Sequence, residues 1–197
     1  MSLIFVLSAI RNRDRIDFRR LKMRILFCRI GWARNYDGNF DDIPKNGGEY
    51  NRNNIGFEIY NFKKHSDGNY YGYVKMDRSK SIRIERIVGG QNAGQCLDDV
   101  YVVWVSNGLI VGWYKNATVF RRYQSVPESI MQERSLKDHH IYNILAQESV
   151  LLTERERSFK VDGIGRSNIW YDAENTVRAK VKDYIKDYIK KYENFNK

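Results

Sequence analysis

Apolar and polar residues alternate through most of the middle of this chain, and the alternation predicts a sheet. Met23–Ile30 (MRILFCRI) is the first clear strand. GFEIYNF (56–62) and YYGYVKM (70–76) follow on either side of a HSDGN turn, and SIRIERI (81–87) alternates apolar and charged side chains as a half-buried strand does. VYVVWVS (100–106) and LIVGWYK (109–115) are joined by Asn107-Gly108, a strong two-residue hairpin signal because both residues tolerate positive φ. ATVFRRY (117–123) prolongs the second of these strands. Val126–Gln147 suits a helical or irregular excursion, after which VLLTE and SFKV read as two more short strands. From about Ala173 the period changes: Val177, Val181, Ile185, Tyr188 or Ile189, and Tyr192 recur every three to four residues, with Lys and Arg opposite. Lys190, Lys191 and Lys197 fall near the end of that helix, where its dipole favours cations. The predicted fold class is α+β, a small curled mixed β-sheet or barrel with flanking helices and a C-terminal amphipathic helix.

The same reading divides the chain into a basic N-terminal extension (1–22), a domain (23–172) and a C-terminal basic helix (173–197). The extension shows no convincing strand alternation. It reads either as a segment ahead of a natural start at Met23 or as an arm that touches phosphates. Arg34–Asn54 is rich in Asn, Asp and Gly and is a long loop, a kind of segment that often carries function. The apolar run IFVLSAI has no charged residue before it and no small-residue cleavage site after it, and it is too short to span a bilayer. Cys28 and Cys96 stand in unrelated contexts; both are expected to be reduced core residues, and the protein to be soluble, cytoplasmic and without a membrane partner.

Charge changes the picture less than its total implies. The net charge is +10, but residues 1–22 hold six basic and two acidic side chains and residues 175–197 hold seven and three, so the domain between is nearly balanced. Basicity therefore points to an anionic partner mainly through the two ends.

A catalytic centre leaves little trace. His65 lies in a polar turn and His139 and His140 in a KDHH cluster, with no zinc-ligand spacing. VGGQNAG (88–94) lacks the Lys-Ser/Thr of a phosphate-binding loop and reads as a turn. Asp98, Asp99 and Glu85 could be set in a nuclease role, but no Glu-x-Lys follows in a matching strand. No catalytic residue, metal or cofactor is assigned, and enzymatic activity is not expected.

What the sequence concentrates is aromatic side chains beside Gly and Asn. Gly31-Trp32 is followed by Tyr36, Trp104 by Gly112-Trp113-Tyr114 with Asn116, and the last cluster is Ser167-Asn168-Ile169-Trp170-Tyr171. Aromatics stack on bases, and Asn supplies the paired donor and acceptor that a base edge requires. A flipped base is held by this combination. Ordinary sheet cores use the same residue types, and Trp104, flanked by valines, reads as core under either function.

The segments ILFCRIGW, YNFKKHSDGNYYGYVKM, VYVVWVSNGLIVGWYKNATVFRR and GRSNIWY occur in this order and span roughly 23–172, GWYKNATVFR (112–121) being the most distinctive. Together they resemble the front domain of bacterial modification-dependent restriction endonucleases, including HNH-type enzymes. Such domains are similar to the PUA-like group, which includes the EVE, YTH, ASCH and SRA domains. The resemblance implies a curled β-barrel that flips a modified DNA base into an aromatic pocket within a restriction or defence system. It makes Trp32, Trp113, Tyr114, Asn116, Asn168, Trp170 and Tyr171 candidates for the pocket or its rim. Arg121 and Arg122 become candidates for phosphate contacts. Those endonucleases carry a nuclease module after this domain, whereas here a Lys-rich helix follows, so a stand-alone reader or a separately encoded nuclease subunit is expected. The alternatives are an RNA reader of the same general kind, a nuclease subunit with an unrecognised active site, and a protein-interaction domain with a Tyr-rich surface.

Overall fold

The computed structural model describes residues 23–46, 48–76, 81–90, 94–136, 138–165, 167–172 and 175–195; the basic segment 1–22 lies outside the described residues. The protein is a mixed α+β structure in which the described residues form a seven-stranded, mostly antiparallel open sheet. The strands are β1 (Arg24–Arg29), β2 (Tyr70–Gly72), β3 (Cys96–Ser106), β4 (Leu109–Ser125), β5 (Ile141–Ala146), β6 (Glu148–Leu151) and β7 (Ile169–Trp170). Among the described residues two α-helices accompany them, α1 (Glu128–Met131) and α2 (Thr176–Phe195). The sheet order is β2-β5-β4-β3-β1-β7, with β6 paired to β4 off that path. β1 and β3 run parallel, with Arg24 opposite Val100 and Arg29 opposite Val105; the other pairings are antiparallel. No helix among the described residues is long and apolar enough to cross a membrane.

β3 and β4 are joined as their turn residues predict, with Asn107 at φ 51° and Gly108 at φ 78°. β4 then serves two neighbours along one edge: Gly112–Lys115 pair with β6, and the stretch from Thr118 to Ser125 pairs with β5. Serving both bends the strand, and Asn116, at φ 47°, sits between the two pairings. A register shift beside Trp104 leaves Val111 as an extra residue. There Gly112 is packed so closely that a Cβ would lie 2.3 Å from the Val150 carbonyl and 2.8 Å from the Phe62 ring.

Along β1, β3 and β4, strand parity sorts the apolar residues into two cores, and a third, smaller cluster of Tyr71, Val126, Ile130 and Tyr142 forms around β2 and β5. Ile25, Phe27, Val103, Val105, Ile110 and Trp113 face α2, which buries Val181 and Ile185 against them. Leu26, Cys28, Val102, Trp104 and Tyr114 face the opposite way, onto the segments between β1 and β3. With both faces covered, the near-continuous apolar runs of β1 and β3 are what such a sheet requires. Trp104 is fully buried, as its valine neighbours predict.

Several local expectations are corrected. GFEIYNF is not a strand: Phe57–Tyr60 is a 3-10 helix, and Glu58, Ile59 and Tyr60 are buried consecutively. Asn61 stands in for a ladder by exchanging two hydrogen bonds with the Tyr73 backbone. SIRIERI forms a 3-10 turn over Ile84–Arg86, because Ile84 and Ile87, three apart, share one buried side of it. The Val126–Gln147 excursion contains only the short α1 and then β5, and SFKV contributes a single bridge from Lys160 to Leu109. Cys28 is buried as expected, whereas Cys96, at the exposed start of β3, is not a core residue.

Candidate functional site

A pocket of about 300 Å3 opens where the end of β1, the loop before the first buried 3-10 helix, the strand extension after β2 and the residue before β7 converge. Its walls are aromatic: Tyr50, Phe57 and Tyr73. Its polar edges are Asn51, Glu58 and Asn168, and its cations are Arg29 and Lys75.

Each wall is held from behind. Phe57 stacks on Tyr73 (centroids 4.9 Å apart, 29° between planes) and on His139 (4.0 Å, 17°). Tyr73 in turn stacks on Tyr123 (5.4 Å, 9°). Tyr50 is tilted against Phe57 at 6.2 Å and remains 41% exposed at the mouth. The backbone behind Tyr73 is clamped by two buried amides. Asn61 exchanges two hydrogen bonds with residue 73, and Asn143 does the same with Val74 (3.0 and 2.9 Å). Burial, reinforced by the neighbouring Tyr123 hydroxyl, pushes the Tyr73 phenol above its ordinary value, so it stays neutral. Burial lowers the His139 imidazole. Its Nε2 lies 3.0 Å from the Ile55 carbonyl and must carry the proton, while the buried Nδ1 has no partner among the described residues.

The polar edge is equally fixed. Glu58 is 8% exposed, and its Oε1 accepts from the Gly31 amide (3.0 Å) and from Asn51 Nδ2 (2.9 Å). Among the described residues, Oε2 accepts no hydrogen bond. Gly56 gives this carboxylate its room, since a Cβ there would lie 2.5 Å from Oε2. Asn168 accepts from Arg29 NH2 through Oδ1 (3.1 Å), which turns its amide NH2 outward from that bond; its carbonyl also accepts from the Arg29 amide at 2.7 Å. The set therefore presents one carboxylate oxygen, one oriented amide donor and two cations beside a run of rings. Such a site can hold a planar heterocycle by stacking and read its edge by hydrogen bonds.

Of the residues singled out in the sequence, Asn168 lines this pocket and the others do not. Trp113 is fully buried on the α2 side, edge-on to Tyr188 at 5.0 Å, and Tyr114 is fully buried on the opposite side against Trp104 and Phe62. Neither can wall an open pocket, because the bulge at Val111 and the covering elements bury both. Trp170 packs on Phe27 at 5.1 Å, on the α2 face. Tyr171 belongs to the other core, where its hydroxyl accepts from the Arg83 amide at 2.8 Å and Arg86 covers its ring. Trp32 is half-buried beneath the Arg157 guanidinium, 4.8 Å from its ring centre. Asn116 is exposed at the bend of β4, apart from the pocket lining. Arg121 pairs with Glu85 at 2.9 Å and Arg122 is exposed on β4; neither lines the pocket.

The residues that sequence reasoning did not select are Arg29, Tyr50, Asn51, Phe57, Glu58, Tyr73 and Lys75. A signal existed for some of them. Tyr50 and Asn51 lie in the long polar loop marked as functional by its length, and Tyr73 lies in the quoted YYGYVKM segment. Phe57 and Glu58 were hidden by the strand reading of GFEIYNF. No family model, curated protein or solved structure matches the chain.

Proposed function

We propose that this domain binds nucleic acid by taking one unstacked base into the pocket of Tyr50, Phe57 and Tyr73. The observation that carries the proposal is the pairing of ring walls with fixed edge groups, Glu58, Asn51 and Asn168, in a space of about 300 Å3. That space, at the lower end of the range of small-ligand pockets, has room for a single purine or pyrimidine. Arg29 and Lys75 at the same pocket suit the phosphates that flank an extruded nucleotide. The resemblance to the front domains of modification-dependent endonucleases makes a modified DNA base the expected occupant, and a restriction or defence role the expected setting, with any cleavage supplied by a partner nuclease.

Binding of labelled duplexes carrying one modified base, against plain duplexes of the same sequence, tests this. Modified duplex is expected to bind more tightly, and Tyr50→Ala to weaken it by about 1–3 kcal/mol, the usual worth of one base–aromatic stack. Equal binding of all duplexes by the wild type and the Tyr50 variant would remove the proposal.

A further inference from the structure

Among the described residues Glu58 is the one acidic group lining the pocket, and its geometry has a consequence for which bases the site accepts. Oε1 is committed to two N–H groups, the Gly31 amide and Asn51 Nδ2. The lone pairs left to the pocket are therefore those of Oε2, on a side chain that is 8% exposed and has no ion pair among the described residues. A desolvated carboxylate oxygen accepts hydrogen bonds and cannot donate them while ionised. It gains strongly from an N–H of the ligand and is repelled by a carbonyl at the same place. Asn168, fixed by Arg29 with its amide NH2 left to donate, supplies the complementary group for a ring nitrogen or carbonyl next along the edge.

We infer that Glu58 makes the pocket selective for bases that carry an exocyclic amino group, cytosine- or adenine-type, over their keto counterparts. The inference rests on the base-reading proposal above. Cytosine and adenine place an amino donor at one end of the pairing edge, with a ring-nitrogen acceptor next to it. Uracil and thymine present their only edge N–H between two carbonyls, so a carboxylate that reaches it is set against both of them.

The side chain also offers a clean reversal. In Glu58→Gln the amide oxygen can keep both bonds now made to Oε1, while Nε2 replaces Oε2 as the atom facing the ligand. The pocket then presents a donor where it presented an acceptor, with the internal scaffold retained. An alanine variant would lose both internal bonds as well and could not separate the two effects.

The test uses the full chain and labelled single-stranded 12-mers that differ at one central base, in pairs matched except for amino versus keto: cytosine and uracil, 5-methylcytosine and thymine, 5-hydroxymethylcytosine and 5-hydroxymethyluracil, adenine and hypoxanthine. In every pair that binds, the amino member is expected to bind about tenfold or more tightly, and Glu58→Gln to erase or invert that ratio without changing the thermal midpoint greatly. Equal affinity within the pairs, or a preference that Glu58→Gln leaves intact, overturns the inference while base reading survives through the Tyr50→Ala response. Binding that no central base alters and that Tyr50→Ala does not weaken removes base reading and this inference together.

Discussion

The two sides of the sheet are both rich in aromatic rings, yet they use them differently. On the α2 side, Trp113 meets Tyr184 and Tyr188, Phe27 meets Trp170, and Phe159 meets Tyr184, all beneath a twenty-residue helix. On the other side, Tyr123, Tyr73, Phe57 and His139 form a continuous run of stacked rings whose edge is lined by Asn51, Glu58 and Asn168. The first arrangement uses rings chiefly as bulk: each one fills space left by another, and the clefts beside Tyr184, Tyr188 and Trp170 are bordered by charged residues such as Asp187, Lys191, Asp162 and Lys180 rather than walled by further rings. The second uses rings as walls, supported from behind and ended by oriented acceptors and donors. Aromatic content alone does not separate these cases. What separates them is whether another element covers the rings and whether polar side chains are fixed at their edges by bonds of their own.

The largest expected effect breaks the comparison on the covered side. Trp113→Ala should destabilise the fold by about 3–5 kcal/mol, as truncation of a fully buried large aromatic does, measured by denaturant unfolding. A loss under about 1 kcal/mol would mean that α2 does not seal this face, and that Trp113 is available to a ligand after all. Next in size is Gly112→Ala at the bulge. The added methyl would meet the Val150 carbonyl at 2.3 Å, and backbone cannot yield there as a flexible side chain can. About 1–3 kcal/mol of destabilisation is expected, with β6 displaced from β4. Unchanged stability would show that the β4–β6 pairing is looser than its register implies.

These two residues also mark how far the sequence could be read. The Asn107-Gly108 turn, the paired long strands around it and the amphipathic α2 were all legible, because each follows from a local rule of φ or period. The parity of Trp113 and Tyr114 was not, since one bulge residue, Val111, resets which side each ring faces. The pocket was legible only in part. Asn168 stood out by its aromatic neighbours, and the polar loop by its length. Glu58 was read as an alternating strand position, and its role depends on Gly31, 27 residues away in sequence, and on a tertiary hydrogen bond that no local pattern encodes. Tyr73 likewise owes its position to Asn61 and Asn143, buried amides that hold its backbone from two other elements.

On the open side the expected effects move from stability to binding. Tyr50 is 41% exposed, and among the described residues its aromatic partner is Phe57. Tyr50→Ala should change unfolding free energy by no more than about 0.5 kcal/mol, as exposed substitutions do. The same variant should lose about 1–3 kcal/mol of oligonucleotide binding. The contrast with Trp113→Ala is the point: one variant loses fold and the other loses ligand. If Tyr50→Ala instead lowered stability by several kcal/mol with binding per folded molecule unchanged, the open side would be a core like the other.

The smallest effect concerns acidity, and it should act on one side only. His139 is buried behind the Phe57 wall and His65 is buried against Tyr71, while the described core beneath α2 contains no histidine. Burial lowers both imidazoles below their ordinary value of 6.5, with His65 partly offset by its 2.9 Å bond to Glu133. A group that binds its proton more weakly when folded takes one up on unfolding, so stability is complete above the unfolded value and declines as pH falls through and below it. For His139 the reason is visible in the geometry: protonation would place a second N–H on the buried Nδ1, which has no acceptor among the described residues. The decline should therefore begin near neutrality, on going from pH 7 to about 5.5. Glu133, held below the usual carboxylate range mainly by its bond from Ser66, adds its own loss only at lower pH. Amide hydrogen exchange, corrected for its intrinsic pH dependence, reads this locally. Between pH 7 and 5.5 the amides of Phe57–Asn61 should lose protection while those of Ile25–Arg29 keep theirs. His139→Phe, which retains a ring against Phe57, should reduce that loss. Equal loss on both sides would mean that the sheet opens as one unit, and that the pocket walls are no less stable than the sealed core.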